Sequence, residues 1–157
     1  MTDPRSFDTV EALEACVGEE LGVSDWIEMS QSRILRFADA TDDRQWIHLD
    51  EVRAEAESPY GTTVAHGYLT LSMLPRITAE VFTLKPRVAG INYGLDKVRF
   101  LAPVPSDSRI RGRVVLDRVL RQKPDTIRVH LTVTVEIEGG DKPACVAEAI
   151  ALYIVAP

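Results

Sequence analysis

The segment from His66 to about Thr83 limits the possible folds of this chain more than any other. Its apolar residues recur at helical spacing, and in its first half they leave little polar face. A helix that is apolar on nearly every side is a buried one, so the segment predicts a central helix covered by other elements. Pro75 lies inside the segment and removes one backbone hydrogen bond, which predicts a kink between Leu71 and Pro75.

The second half of the chain changes to the two-residue period of β-strands. Residues 126–138 alternate apolar and polar side chains almost throughout, which predicts a strand with one solvated face. Residues 145–155 are apolar on both faces and predict a central or covered strand, and residues 110–120 predict another strand. The alternation over 91–100 slips once near residues 94–96, which indicates a bulge. Helices followed by a run of antiparallel strands indicate the α+β class.

The first part of the chain predicts shorter elements. In order, these are a helix over 8–20, a first strand over 25–29, a helix from the N-cap Ser30 to about Thr41, and a short charged helix from Asp50 to Glu57. The length of 157 residues suits one domain. We therefore expect a single domain over 1–157, in which 1–29 supply the N-terminal helix and the first strand, and 30–157 supply the core.

The composition excludes several classes of function. The formal net charge of -6 argues against nucleic acid as a partner, because such binding depends on clustered Lys and Arg. No apolar run reaches the roughly 18 residues that a membrane span needs. The N-terminus lacks the basic start and apolar centre of a secretion signal, so we expect a cytoplasmic protein. Cys16 and Cys145 form no CxxC pair, so we expect two buried thiols rather than a zinc or redox site.

Five basic side chains lie close together in the sequence and have two interpretations. They are Lys97, Arg99, Arg109, Arg111 and Arg113. If they are clustered in space, they are enough to bind one anionic small ligand. If they are spread along two strands, they form solvated faces. The sequence alone leaves both interpretations open.

The residues with the clearest chemical potential lie within residues 37–67. Asp43 stands five residues before His48, close enough to reach it. Both are on polar connecting segments, where functional residues concentrate. Trp46 and Ile47 lie between them, and we expect these two side chains to pack inward and pin the loop.

The start of the predicted central helix holds two further residues of interest. We expect His66 to be structural, capping the helix or binding nearby backbone. Gly67 follows it, and the first backbone amides of a helix lack internal partners. A glycine there allows a ligand to come close, although it also allows the helix start to pack tightly. His130, by contrast, lies on the polar face of its strand, and we expect it to be solvated and uninvolved.

Residues 37–67 resemble the MaoC-like, R-specific (type 2) enoyl-CoA hydratases of the hotdog fold. The matching pieces are Phe37-Ala38, Asp43, His48-Leu49-Asp50, Gly61 and Ala65-His66-Gly67. The resemblance extends from roughly Ser30 to the end of the chain. It implies a curved antiparallel sheet wrapped around the central helix, a homodimer, and an acyl-CoA substrate, with acyl carrier protein as a possible carrier. It implies neither a metal nor a cofactor.

The resemblance also implies roles for individual residues. Asp43 and His48 would hold a water that adds to a 2-enoyl thioester, and the backbone amide of Gly67 would bind the thioester oxygen as charge develops on it. Lys97 and Arg99 become candidates for contacts with the phosphates of coenzyme A, on the ground of charge alone.

The chain departs from the family at one step. Gln45-Trp46 stands where the family has an Asn-Pro step. Gln45 can still orient a water or a loop amide, so it is a candidate substrate-binding residue. The loss of proline removes a fixed backbone angle, so the geometry of the loop needs another source of rigidity.

Three functions remain open at this stage. The first is R-specific hydration of a trans-2-enoyl-CoA. The second is the reverse reaction, dehydration of 3-hydroxyacyl chains on an acyl carrier protein, which the same residues would serve. The third is a non-catalytic acyl-CoA-binding subunit that needs a second hotdog chain. The presence of both Asp43 and His48 favours the first two, and the hydratase motif disfavours a thioesterase.

Overall fold

The computed structural model describes residues 3–156. In chain order the elements are β1 (Arg5–Phe7), α1 (Val10–Glu14), β2 (Glu20–Val23), β3 (Ile27–Met29), α2 (Gln31–Thr41), α3 (Trp46–Leu49), α4 (Glu51–Glu57), α5 (Gly67–Ser72), α6 (Leu74–Val81), β4 (Phe82–Leu84), β5 (Arg87–Phe100), β6 (Ser108–Lys123), β7 (Thr126–Ile137) and β8 (Cys145–Val155). No helix within this range is long and apolar enough to cross a membrane.

One antiparallel sheet of six strands dominates the structure. Its order is β2-β6-β7-β8-β5, and β3 also pairs with β6. β1 and β4 form a separate parallel pair. The sheet curves around α5 and α6, so the predicted α+β hotdog fold is confirmed. β8 lies between β7 and β5, as its two apolar faces predicted, and β5 forms one edge of the sheet.

The central helix lies directly on the sheet. Its buried residues are Leu69, Met73, Leu74, Ile77 and Val81. The contact with β6 is made possible by Gly112, because a Cβ at that position would lie 2.2 Å from a methyl carbon of Ile77. Any larger residue at 112 would push the helix off the sheet.

The predicted kink is confirmed as a break between two helices. α5 ends at Ser72 and α6 begins at Leu74, which places Pro75 in the first turn of α6, where its missing N–H costs nothing. The first half is less covered than its sequence predicted, because Tyr68 is 69% exposed. That side chain points away from the core and meets Phe100 edge to face.

The N-terminal part differs most from prediction. The expected helix over 8–20 spans only Val10–Glu14, because Gly18 adopts a left-handed φ of 90° and its N–H bonds to the carbonyl of Leu116 in β6. Residues 3–29, the described part of this region, contain three strands rather than one. Two of them, β2 and β3, belong to the main sheet, so this part is structurally continuous with the core.

The remaining predicted elements are present with modest changes. The side chain of Ser30 caps α2 and that of Asp50 caps α4. The bulge predicted in β5 occurs between Leu95 and Val98, and the strand has two further irregularities. Both cysteines are buried and free, as predicted.

The expectation that His130 is solvated is wrong. His130 is 8% exposed rather than solvated, because Arg118 on β6 and Ile150 on β8 are its cross-strand neighbours in the middle of the sheet. Burial, the largest influence, lowers the pKa of His130, and the nearby cationic side chains act in the same direction.

Candidate active site

Backbone contacts across the chain position His48. The amide of Gln31 at the start of α2 donates from Nε2 to the His48 carbonyl at 2.8 Å. Thr63 Oγ1 in turn donates to Gln31 Oε1 at 2.6 Å, and the Val64 N–H donates to the Ile47 carbonyl at 3.2 Å. These bonds tie α3 to both its flanking segments. The sequence analysis missed Gln31 and Thr63, since nothing in their spacing relates them to His48.

The His48 ring is held in a defined tautomer. His48 Nδ1 lies 2.6 Å from the Val64 carbonyl oxygen. A carbonyl only accepts, so Nδ1 carries the proton and Nε2 is left with a free lone pair. Burial lowers the pKa of His48, although the bond to Val64 and the Asp43 carboxylate oppose the effect. The ring is therefore neutral at neutral pH and can accept a proton at Nε2.

His66 contacts both His48 and the backbone of Asp43. It is 2% exposed, and its ring stacks on that of His48 with centroids 3.8 Å apart. Its Nε2 donates to the backbone carbonyl of Asp43 at 3.0 Å. The expectation that His66 binds nearby backbone is thus confirmed, whereas its side chain makes no capping hydrogen bond to α5.

Asp43, His48 and His66 form a compact polar cluster. One ligand atom from each lies within 4.8 Å of the others, a spacing that could hold a metal ion. The two imidazole rings are nearly parallel, however, with 25° between their planes. Their in-plane lone pairs run side by side rather than converging on one point, so the cluster is a poor cation site. It suits a water held between the exposed Asp43 carboxylate and His48 Nε2 better.

The loop without the family proline has another source of rigidity. The Arg53 guanidinium lies 4.2 Å from the centre of the Trp46 ring, a cation–π contact. Arg53 is also fixed by Glu57 at 2.8 Å. Trp46 and Ile47 are only half-buried, so the expectation that they pack inward is wrong in detail. Gln45 is exposed at the N-cap of α3, and its side chain makes no capping bond.

Gly67 opens onto a cavity. Within residues 3–156, its N–H has no hydrogen-bond partner. The Phe100 ring lies over it, and a Cβ at Gly67 would be 3.2 Å from two ring carbons. A cavity of about 290 Å³ lies against this face, lined by Gly67, Thr70, Phe100 and Tyr60 together with the loop after β5.

A second, larger cavity continues along the same helix. Its volume is about 720 Å³, and it lies between the α5–α6 segment and the β5 edge. The smaller cavity contacts the start of α5 and the end of β5, whereas the larger one contacts the end of α5, α6 and the first part of β5. The two cavities therefore lie against successive parts of α5 and β5, with no lining residue in common.

The structure does not bring the predicted basic residues to this site. Lys97 and Arg99 lie on the opposite face of β5 from Phe100, and Lys97 is paired with Glu148 at 3.2 Å. Arg99 donates to the backbone carbonyl of Val98. The three arginines of β6 are each paired with carboxylates, namely Arg109 with Glu138, Arg111 with Glu136, and Arg113 with Glu20 and Glu136. For these three, solvated strand faces are the better interpretation.

Comparison with known proteins identifies close relatives. The chain is 49% identical over 150 residues to 3-hydroxyacyl-thioester dehydratase Z of Mycobacterium tuberculosis strain H37Rv, covering 96% of this chain and 99% of that protein. It is 45% identical over 141 residues to nodulation protein N of Rhizobium meliloti, covering 89% and 88% of the two chains.

Similarity of structure and of family pattern agrees with these relatives. The crystal structure of the MaoC-like dehydratase from Rhodospirillum rubrum superposes with a TM-score of 0.70 at 20% identity, covering 90% of this chain and 94% of that one. The family model described as the MaoC like domain matches residues 12–138. The chain therefore belongs to the MaoC-like dehydratase family, as the motif in residues 37–67 predicted.

Proposed function

We propose that the protein is an R-specific enoyl-CoA hydratase, which reversibly adds water to a trans-2-enoyl-CoA to give a (3R)-3-hydroxyacyl-CoA. Its class, a hydratase or dehydratase enzyme acting on hydroxyacyl thioesters, follows from the family and from its relatives. The observation that carries the finer proposal is the lone pair left on His48 Nε2 in a cluster with Asp43 and His66. His66 stacks on His48 and is the N-cap residue of α5, directly before Gly67.

In the proposed mechanism, one water lies between Asp43 and His48. His48 Nε2 accepts a proton as the water oxygen bonds to C3, and the electron pair of the C2–C3 double bond moves towards the thioester oxygen. The Gly67 N–H stabilises that oxygen. The imidazolium then returns its proton to C2 on the same face, which completes syn addition. Asp43 orients the water and offsets the transient positive charge on His48.

The two cavities support an extended acyl substrate. In this proposal the smaller cavity would hold the thioester beside Gly67, and the larger one would take the acyl chain between α6 and β5. Its lining includes Leu71, Leu74, Ile91 and Leu95. A mostly apolar crevice with few polar groups is the usual form of such binding sites.

A second candidate function differs from the first in the acyl carrier, which would be acyl carrier protein instead of coenzyme A. Dehydration of a 3-hydroxyacyl chain on an acyl carrier protein would use the same residues in reverse. The name of the mycobacterial relative specifies a thioester without a carrier, and the cationic residues of β5 lie away from the site in this chain. Lys97 and Arg99 are therefore proposed as carrier contacts only from a neighbouring subunit.

We further propose a homodimer joined through β5. This edge strand exposes apolar side chains, namely Val88, Ile91, Tyr93, Leu95 and Phe100. A long edge strand with exposed apolar residues readily pairs with another chain. Antiparallel pairing with the β5 of a second copy would cover these side chains and place each larger cavity beside the subunit boundary.

Tyr93→Lys is expected to convert the dimer to a monomer, because it would bury an ammonium group in the proposed β5 interface. Light scattering should give twice 17.4 kDa for the native chain and 17.4 kDa for the variant. Val52→Lys is the matched control, since Val52 is 81% exposed on α4. A native mass of 17.4 kDa would contradict the proposed dimer.

Two substitutions of His66 separate its hydrogen bond from its ring. Gln at this position keeps an N–H donor near Nε2, whereas Phe keeps the stack on His48 and loses the bond to Asp43. We expect His66→Phe to lower kcat about 10-fold through misplacement of Asp43, and His66→Gln to lower it less. Equal kcat values for the two variants would refute this role of the bond to Asp43.

The test of the proposed function uses three substrates. The native chain should hydrate crotonyl-CoA and a longer 2-enoyl-CoA, with chiral analysis giving the R product. The same acyl chain on acyl carrier protein should react more slowly. A faster reaction on the carrier protein would replace the first candidate by the second, and an S product would contradict the stereochemical assignment.

A further inference from the structure

Thr70 is a buried hydroxyl residue without a hydrogen bond. It lies in α5, one turn after Gly67, and is 2% exposed. Among residues 3–156, no group donates to or accepts from its Oγ1. A hydroxyl without a partner in the protein is available to bind water or a ligand.

Three other hydroxyl residues in the helices behave differently. Thr41 and Ser72 each donate to the carbonyl four residues earlier, at 2.8 and 2.7 Å, and Thr78 donates to the Pro75 carbonyl at 3.1 Å. This return to the backbone is the usual way to satisfy a hydroxyl in a helix. Thr70 could use the His66 carbonyl in the same way, yet its Oγ1 does not.

The surroundings of Thr70 show where its hydroxyl is directed. Thr70 lines the 290 Å³ cavity together with Gly67 and Phe100. Its Oγ1 is not sealed from solvent, so it keeps access to that cavity. Residues three apart share a helix face, and a helical side chain leans towards the N-terminus of its helix. Thr70 and Gly67 therefore face the same cavity from one side of α5, with the Phe100 ring as its opposite wall.

We infer that Thr70 Oγ1 donates a hydrogen bond to the thioester carbonyl oxygen of the bound substrate. The inference rests on the proposed function and adds a second donor to the Gly67 N–H. The hydroxyl transfers no proton. It strengthens its bond as negative charge develops on the oxygen, so it contributes more in the transition state than in the bound substrate.

The test compares Thr70→Val with Thr70→Ser. Valine keeps the shape and removes the hydroxyl, whereas serine keeps the hydroxyl. With crotonyl-CoA, we expect Thr70→Val to lower kcat about 10- to 100-fold and Thr70→Ser to stay within about three-fold of the native value. Thr134→Val on β7 is the matched control, because Thr134 lies in the sheet away from both cavities.

A binding measurement separates this inference from the proposed function. Infrared spectra of bound butyryl-CoA report the thioester carbonyl directly. Loss of the Thr70 bond should shift the carbonyl stretch to higher wavenumber in Thr70→Val and leave it unchanged in Thr70→Ser and Thr134→Val. If Thr70→Val shifts the carbonyl band but the native chain does not hydrate crotonyl-CoA, the proposed function is overturned and the Thr70 contact stands. Native kcat together with an unshifted carbonyl band in Thr70→Val would overturn the contact.

Discussion

His48→Gln is expected to lower kcat for crotonyl-CoA hydration by about 10³-fold, within the range typical of general acid–base catalysis. The glutamine amide cannot accept and return a proton, although it can keep a hydrogen bond to the Val64 carbonyl. KM should change little, since the apolar crevice remains intact. His130→Gln is the matched control, because His130 is the histidine outside the cluster. Equal kcat values for His48→Gln and the native chain would remove His48 from the mechanism.

The pH dependence of the native chain gives an independent check on His48. The base must be neutral to accept a proton, and burial lowers its pKa from the ordinary 6.5. Activity should therefore persist as pH falls to 6.5 and decline only below that value. An acid limb above 6.5 that disappears in His48→Gln would contradict the buried environment described for this ring.

Gly67→Ala is expected to lower kcat by about 10²-fold, comparable with loss of one donor to a developing oxyanion. The added Cβ would lie 3.2 Å from the Phe100 ring, so either that ring or the start of α5 must move by a few tenths of an ångström. Movement of the start of α5 displaces the N–H from the thioester oxygen, and movement of the ring changes the cavity that would hold the thioester.

A second substitution tests whether crowding against Phe100 causes the expected loss of kcat. Phe100→Leu in the Gly67→Ala background removes the aromatic ring that the new methyl group meets. If crowding is the cause, the double variant should recover part of the lost kcat, which a double-mutant cycle measures. No recovery, with both variants folded, would show that Gly67 acts through something other than its contact with Phe100.

The spacing of apolar residues and Pro75 predicted the long strands and the break in the central helix. The alternation of residues 126–138 and the doubly apolar 145–155 gave β7 and β8 nearly to the residue. Pro75 located the break in the central helix. The strands β1 and β2 were not predicted, because three or four residues carry little pattern and their pairing with β4 and β6 is a long-range contact.

In the candidate site too, residues marked by a local pattern were predicted, and features that depend on long-range contacts were not. Asp43 and His48 were predicted from their spacing and the family motif. The tautomer of His48 depends on the carbonyl of Val64, a group that every residue type possesses, so no sequence pattern marks it. The burial of His130 was missed because its strand neighbours Arg118 and Ile150 are set by register. Thr70 appeared as one more residue of an apolar helix.

The most direct test of the account measures loss of enoyl thioester absorbance when crotonyl-CoA is added to the native chain and to Asp43→Asn. Asparagine keeps the shape of Asp43 and removes its charge. We expect the native chain to consume the enoyl band and Asp43→Asn to be slower by at least about 10²-fold, with both chains equally folded. Equal rates for the two chains, or binding of crotonyl-CoA by the native chain without any loss of the band, would contradict catalysis by the Asp43 and His48 pair.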